Sequence, residues 1–200
     1  MSPITLVMVL RPGPVSELIA IVVLMTRTIY YTASSLDGFI ADQDNSLSWL
    51  LSRDIDQEGV MNYGGFRATV GAAAVGATTY QWVLDNDPDG WEFTLPTWVF
   101  THRDFAPREG ITLTSDDVRT VHAAMAEAAD GKDIWLMGGG HLVGQFADAG
   151  LLDEVWVQYA PLTLGGGAPL LPRRIEMRLA EHGQNREFLC ARYDVVRPGA

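Results

Sequence analysis

Asp133-Ile134-Trp135-Leu136-Met137-Gly138-Gly139-Gly140-His141-Leu142 is the stretch on which the reading of this chain turns. A short apolar run ends in three consecutive glycines, after which Leu142, Val143, Phe146 and Ala149 recur at helical spacing. That pattern predicts a strand, a tight turn and a helix. Such a turn directs backbone N–H groups and the positive end of a helix dipole at whatever lies above the strand. Residues without side chains let a ligand come close to the backbone. Two readings of the triplet stand side by side: a cradle for phosphate, and a plain strand-to-helix turn that needs positive φ. The spacing is not the dinucleotide-binding fingerprint, because Gly138 and Gly140 would then want a third glycine where the chain has Val143.

On the N-terminal side, Thr28 to Ser34 reads as the first strand, rich in β-branched and aromatic residues. Asp37-Gly38 marks a turn. A helix is predicted over about Asp54 to Thr69, with Gly64-Gly65 inside it. Val70 to Val75 reads as a buried strand, and Gly76-Ala77-Thr78-Thr79-Tyr80 opens a short helix to about Leu84. Residues 85–94 read as a loop, Thr97 to Thr101 and Ile111 to Thr114 as strands, and Asp116 to Ala129 as an amphipathic helix. Beyond the central stretch, Asp153 to Ala160 is a strand, Pro161 to Pro172 a loop carrying Gly165-Gly166-Gly167, and Glu176 to His182 with Glu187 to Val196 a closing antiparallel hairpin. Alternation of β and α, ending in β-β, predicts a three-layer α/β/α domain with a mostly parallel central sheet and an antiparallel C-terminal edge.

Composition narrows the function classes. The chain has 200 residues, 48% hydrophobic, with a formal net charge of -11, which disfavours a nucleic-acid-binding surface because phosphate neutralisation needs clustered cations. Cys190 is the only cysteine, so an intrachain disulfide is impossible, in keeping with a reducing, cytoplasmic setting. His102, His122, His141 and His182 show no metal-ligand spacing, and no metal site is expected. Residues 1–25 are expected to be a poorly ordered extension of a single domain over 26–200. Their apolar run, Leu18 to Met25, is too short to span a bilayer.

Six segments in order carry a resemblance. They are Ser34-Ser35-Leu36-Asp37-Gly38-Phe39-Ile40-Ala41, Val75-Gly76-Ala77-Thr78-Thr79-Tyr80, Val99-Phe100-Thr101-His102-Arg103, Met137-Gly138-Gly139-Gly140-His141-Leu142, Gly150-Leu151-Leu152-Asp153-Glu154-Val155 and Ala160-Pro161-Leu162-Thr163-Leu164-Gly165-Gly166-Gly167. Together they resemble the dihydrofolate reductase-like superfamily, and within it the reductase domain of the bacterial riboflavin-biosynthesis deaminase-reductases. The resemblance implies an NADPH-dependent reductase of a small pyrimidine- or pterin-type substrate, of the 5-amino-6-(5-phosphoribosylamino)uracil reductase type. Dihydrofolate reduction is the alternative, and a non-catalytic nucleotide-binding module the competitor from another class.

The resemblance also implies site roles. The cofactor's pyrophosphate would lie over Gly138, Gly139 and Gly140 and the helix start at His141 and Leu142. Gly76, Ala77, Thr78 and Thr79 would take another part of it. Thr101, His102 and Arg103 would flank the adenosine phosphate, with Arg103 replacing an arginine that many relatives place at the position of Ala77. Ala33, Ser34 and the Asp37 loop would cover the nicotinamide. Met137 departs from the glutamate that riboflavin-pathway reductases tend to carry there. Asp54, five residues after Trp49 as in folate-type relatives, is the first candidate to supply or relay the proton, with Asp56 and Glu58 close in register. Asp37 is the other candidate acid, and also reads as a turn residue. Trp49 is expected to line the substrate pocket or the core. Relatives usually pair, so a homodimer is expected through the Trp156 strand and the closing hairpin.

Overall fold

The computed structural model describes residues 26–86 and 95–197. The extension at 1–25 and most of the loop at 85–94 lie outside the described residues. The described chain runs β1 (Thr28–Ser35), β2 (Phe39–Ala41), α1 (Ser48–Leu51), α2 (Tyr63–Thr69), β3 (Val70–Gly76), α3 (Ala77–Asn86), β4 (Thr97–Phe100), β5 (Ile111–Thr114), α4 (Val118–Ala128), β6 (Asp133–Gly138), α5 (Gly140–Asp148), β7 (Glu154–Ala160), β8 (Ala168–Pro169), β9 (Met177–Asn185) and β10 (Phe188–Val195). Eight strands form one sheet in the order β5-β4-β3-β6-β1-β7-β10-β9. Neighbours from β5 to β7 are parallel, whereas β10 is antiparallel to both β7 and β9. The fold class read from the alternation of elements is the one observed.

Strand periodicity sorts side chains onto two faces. Tyr30, Ala72, Ala74, Ile134, Leu136, Val155 and Val157 face α4 and α5, which contribute Val121, Met125, Val143 and Phe146 to the same buried cluster. Ile29, Tyr31, Ala73 and Trp135 face the other way, onto Phe66 of α2. Val75 and Val99 pack there against Tyr80 of α3. Two layers of helix therefore enclose the sheet. Helix α3 lies on one face and α5 on the other, although they follow adjacent strands.

One expected helix is corrected. Residues 54–69 do not form a single helix, because α2 begins only at Tyr63 and Asp54 lies in an irregular segment. Asn62 caps α2 by accepting from the Gly65 amide at 2.7 Å, and Met61 before it has φ +53°. The segment ahead of it is tied to the β9–β10 turn instead. The Asp54 amide donates to Glu187, the Asp56 amide to the Asn185 side chain, and the Asn185 amide group donates back to the carbonyls of Asp56 and Val60. Asn185 thus supplies the hydrogen bonds a helix would otherwise have provided. Two short strands were not anticipated: β2 pairs with β8, which is the loop segment after the second glycine triplet.

At the opposite end of the sheet from the glycine turn, three strands share an ionic cluster. The Arg27 guanidinium donates to Asp133 at 2.6 Å and to Glu154 at 2.7 Å. Glu154 also accepts from the Trp156 indole at 2.7 Å and lies 3.8 Å from Arg192, which stacks over the Trp156 ring. Trp156 is thereby engaged within the chain. The exposed apolar row of the closing hairpin, Met177, Leu179 and Leu189, is in register with Val195, Tyr193 and Tyr159 and shares their face of the sheet. Glu154 is 5% exposed, so its removal leaves three donors facing a gap. Glu154→Ala is expected to lower stability by about 2–4 kcal/mol, less than for a fully enclosed pair because Arg27 stays partly solvated. Urea denaturation of the two proteins measures this, and a loss below about 0.5 kcal/mol would mean water replaces the carboxylate.

Candidate active site

The site begins with chain direction. β3 runs straight into α3 and β6 into α5, so both helices start at the same edge of the sheet. β3 leads to β4 on one side, and β6 leads to β7 beyond β1 on the other. This is where the winding reverses, and open α/β sheets leave a crevice there. A cavity of about 420 Å³ occupies the crevice. Gly76, Ala77, Thr78 and Thr79 line it from the start of α3, and Gly139, Gly140, His141 and Leu142 from the start of α5. Two helix N-termini thus point their amides into one space, an arrangement suited to an anionic group.

The three glycines have separate tasks. Gly138 takes φ +122°, a conformation side chains rarely adopt, and its peptide bond to Gly139 is cis. At Gly139 an added Cβ would meet nothing within 4 Å, so the backbone is bare toward the cavity. No side chain caps α5, so its first amides have no side-chain acceptor. At Gly140 an added Cβ would overlap the carbonyl oxygens of Pro169 and Leu170. These residues fit a phosphate-bearing cofactor: bare backbone, two helix starts and open space in front of them.

The rest of the wall comes from β1 and the segments that follow it. Thr32 and Ala33 line it from β1, Ile40 and Ala41 from β2, Asn45, Leu47 and Leu50 from the connection and α1, and Ala168 and Pro169 from β8. Trp82 stands one turn into α3. Met137 is turned toward the space by an irregularity in the β3–β6 ladder, where Ala74 pairs with Leu136 but Val75 with Gly138. An extra residue at such a bulge re-aims a side chain. Tyr30 lies under the floor, fully buried, with burial holding its phenol well above the ordinary value.

Ala77 continues into a second cavity of about 340 Å³, lined by Phe100, Thr101, His102, Arg103, Thr114, Ser115, Asp116 and Gln145. Thr101 is fixed by accepting from the Arg103 amide at 2.8 Å. Arg103 is exposed, and Asp116 shares the same cleft with opposite charge.

Several expected residues fall elsewhere. Ser34 is fully buried and donates to the Ser35 carbonyl at 2.9 Å, so it supports the wall without lining it. Trp49 belongs to the core with Ala160, Phe188 and Cys190, and its neighbours Leu47 and Leu50 line the cavity instead. Asp54 is exposed and outside the cavity, because the irregular segment turns it toward Glu187 rather than into a helix start. Asp37 is also outside the lining. It accepts from the Ser35 hydroxyl at 2.6 Å and from the amides of Leu164 and Gly165 at 3.0 and 2.7 Å. These donors, Ser35 foremost and then the Leu164 amide, hold its carboxyl below the usual range. Asp37 is a clamp between two loops. Among the missed residues, Trp82 had a signal, since it follows Thr78 and Thr79 at helical spacing. Asn45, Leu47 and Pro169 had none, because their position depends on β2–β8 pairing.

Residues 27–186 match the family model described as the RibD C-terminal domain. The chain belongs to the RibD C-terminal domain family. The Bacillus subtilis protein YwjB is 33% identical to it over 145 residues, covering 72% of this chain and 82% of YwjB. A protein of Shewanella sp. PV-4 named for riboflavin biosynthesis has a similar structure, with TM-score 0.74, 24% identity, and coverage of 86% of this chain and all of that one (100%). Dihydrofolate reductase from Enterococcus faecalis, solved with NADP(H) and RAB-propyl, is similar at TM-score 0.55 and 11% identity, over 86% of this chain and 97% of that one. The RibD-domain chain therefore has a dihydrofolate reductase-like fold.

Proposed function

We propose that this RibD-domain chain is an NADPH-dependent reductase that transfers hydride to a small heterocycle. One observation carries the reading: two helix N-termini on opposite faces of the sheet open into a single cavity, which shares Ala77 with the second cavity that Arg103 lines. The amides of α3 and α5, with the Thr78 and Thr79 hydroxyls, hold the pyrophosphate. Thr101, His102 and Arg103 hold the adenosine end. Ala33 of β1 leaves room for the nicotinamide, and Ile40, Leu47, Leu50 and Met137 keep water from it. When bound, the cofactor supplies the hydride, and the chain's residues supply orientation and a dry wall.

A non-catalytic nucleotide-binding module is the second reading, favoured by one feature: among the described residues no carboxyl group lines the cavity. Oxidation of NADPH with any heterocyclic acceptor separates the two.

Trp82 provides the direct test, since it lines the cavity. Tryptophan fluorescence is expected to be quenched saturably by NADPH, and Trp82→Phe to remove most of the change. No saturable binding at millimolar cofactor overturns the proposal.

Arg103 and Asp116 together set the response to the 2′-phosphate. Arg103→Ala is expected to weaken NADPH roughly ten-fold relative to NADH, the scale of one charge-assisted contact at a solvated site. Asp116→Asn is expected to shift the ratio the other way. Calorimetric titration of both cofactors reads each effect, and equal losses for both would show that Arg103 does not face the 2′-phosphate.

The chain also pairs as a homodimer in this proposal, through the apolar row of Leu179 and Leu189, which are 52% and 55% exposed. Sedimentation equilibrium is expected to give twice the chain mass, and Leu189→Glu with Leu179→Glu to give one chain mass. A single chain mass for the unaltered protein refutes the pairing.

A further inference from the structure

The substrate end of the cavity has a composition that narrows what can bind there. Among the described residues, no Asp, Glu, Lys or Arg lines it. Its polar side chains are Thr32, Asn45, Thr78, Thr79 and His141. Thr78, Thr79 and His141 stand at the two helix starts assigned above to the cofactor. Thr32 already donates to the Ala33 carbonyl at 3.2 Å. Asn45, exposed at the mouth, and the Trp82 indole N–H are the side-chain polar groups that remain for a second ligand among the described residues. The remaining wall is Ile40, Leu47, Leu50, Trp82, Met137 and Pro169.

The nearby charges are committed elsewhere. Arg53 donates to the Trp49 carbonyl and pairs with Glu187 at 3.6 Å. Arg173 pairs with Asp148 at 2.9 Å at the C-terminal end of α5. Asp37 is clamped to Ser35, Leu164 and Gly165. Asp42 accepts from the Asp44 and Ser46 amides within its own turn. A phosphate or carboxylate drawn into this end would lose its hydration without a cation in return, which is strongly unfavourable.

We infer that the substrate is an uncharged, flat heterocycle or cyclic carbonyl, without the phosphoribosyl group of the riboflavin-pathway aminouracil or the carboxylate tail of a folate. The inference rests on the cofactor reading above. The electrophilic carbon of a C=N or C=O group gains a C–H bond from the hydride. Its π pair moves to the heteroatom, which takes a proton from water at the Asn45 mouth, and the cofactor leaves oxidised. Water is the proton source because among the described residues no carboxyl group lines the space and His141 stands at the helix start assigned to the cofactor. Family membership and substrate thereby separate: the scaffold of the RibD domain is kept, and the end that would read a phosphate is apolar.

Matched pairs of compounds test this with the full chain saturated with NADP⁺. The pairs are the ribosylaminouracil nucleoside against its 5′-phosphate, and 6-methylpterin against pterin-6-carboxylate. Saturation by NADP⁺ is itself confirmed first by calorimetry, so a failure there overturns the cofactor reading and is distinguishable from a failure of this inference. Displacement or calorimetric titration is expected to show the neutral member of at least one pair binding about ten-fold or more tightly than its anionic counterpart, the discrimination expected when an anion enters a site that leaves it unpaired. A smaller ratio in both pairs, a preference for the anion, or no binding by either neutral compound overturns it. Leu47→Arg, which puts a cation at the wall, is expected to reverse the preference toward the anion. Failure of that variant to bind the anion better would show that charge is not what the wall reads.

Discussion

The backbone of Gly140 touches the carbonyl oxygens of Pro169 and Leu170 so closely that no side chain fits between them. The cavity depends on this approach. The contact sets the first turn of α5 against β8, and β8 pairs with β2, whose Ile40 and Ala41 form the facing wall. The glycine that begins the helix therefore serves less as a source of flexibility than as a spacer of zero width. It lets a surface segment lie along the helix start and close one side of the space, while Gly139 beside it leaves the amides bare. Two adjacent glycines thus do opposite things, one packing and one exposing.

Asp37 holds the same wall from its other end. An ionised carboxylate accepting from Ser35, Leu164 and Gly165 locks the β1–β2 turn onto the loop that follows β7. The Leu36 amide adds a backbone bond to Leu162 at 2.7 Å, and the Leu170 amide one to the Gly38 carbonyl at 2.9 Å. A carboxylate with its lone pairs occupied by fixed donors, and its proton affinity lowered by them, is poorly placed to pass a proton. The feature that makes Asp37-Gly38 look chemical in a sequence, an acid beside a glycine at the mouth of a site, is here an architectural one.

Most of the fold was legible because periodicity reports burial. The β-branched and aromatic content of Thr28–Ser35, the row Val155, Val157 and Tyr159 in Glu154–Ala160, the small apolar run of β3 and the stripe Val118, Val121, Met125 each predict an element whose neighbours then follow from topology. The glycine end of the cavity was legible for the same reason, since both helix starts are written in contiguous residues. The other end was not. Asn45, Leu47, Leu50, Ala168 and Pro169 converge only through β2–β8 pairing, a two-residue contact with no pattern of its own. The irregular segment at 54–62 illustrates the converse. Helical propensity was present there, but Asn185, more than a hundred residues away, supplies the hydrogen bonds that hold it open.

The charge distribution ties these parts together. A chain of net charge -11 repels an anionic cofactor at long range, so attraction has to be local. Under the proposed cofactor reading it would come from backbone amides at two helix starts, whose partial charges act within a turn, and from Arg103 at the second cleft. Formal charge on the cavity wall itself would compete with that arrangement: a lysine would compete for the pyrophosphate, and a carboxylate would repel it. Leaving the wall apolar would let weak dipoles dominate the potential where phosphates would sit in that reading, because an interaction of fixed size counts for more in a dry, low-dielectric space than beside solvated charges. In the proposed reading the apolar end of the cavity is therefore a condition for the polar end to work, as well as the surface that would meet the second ligand.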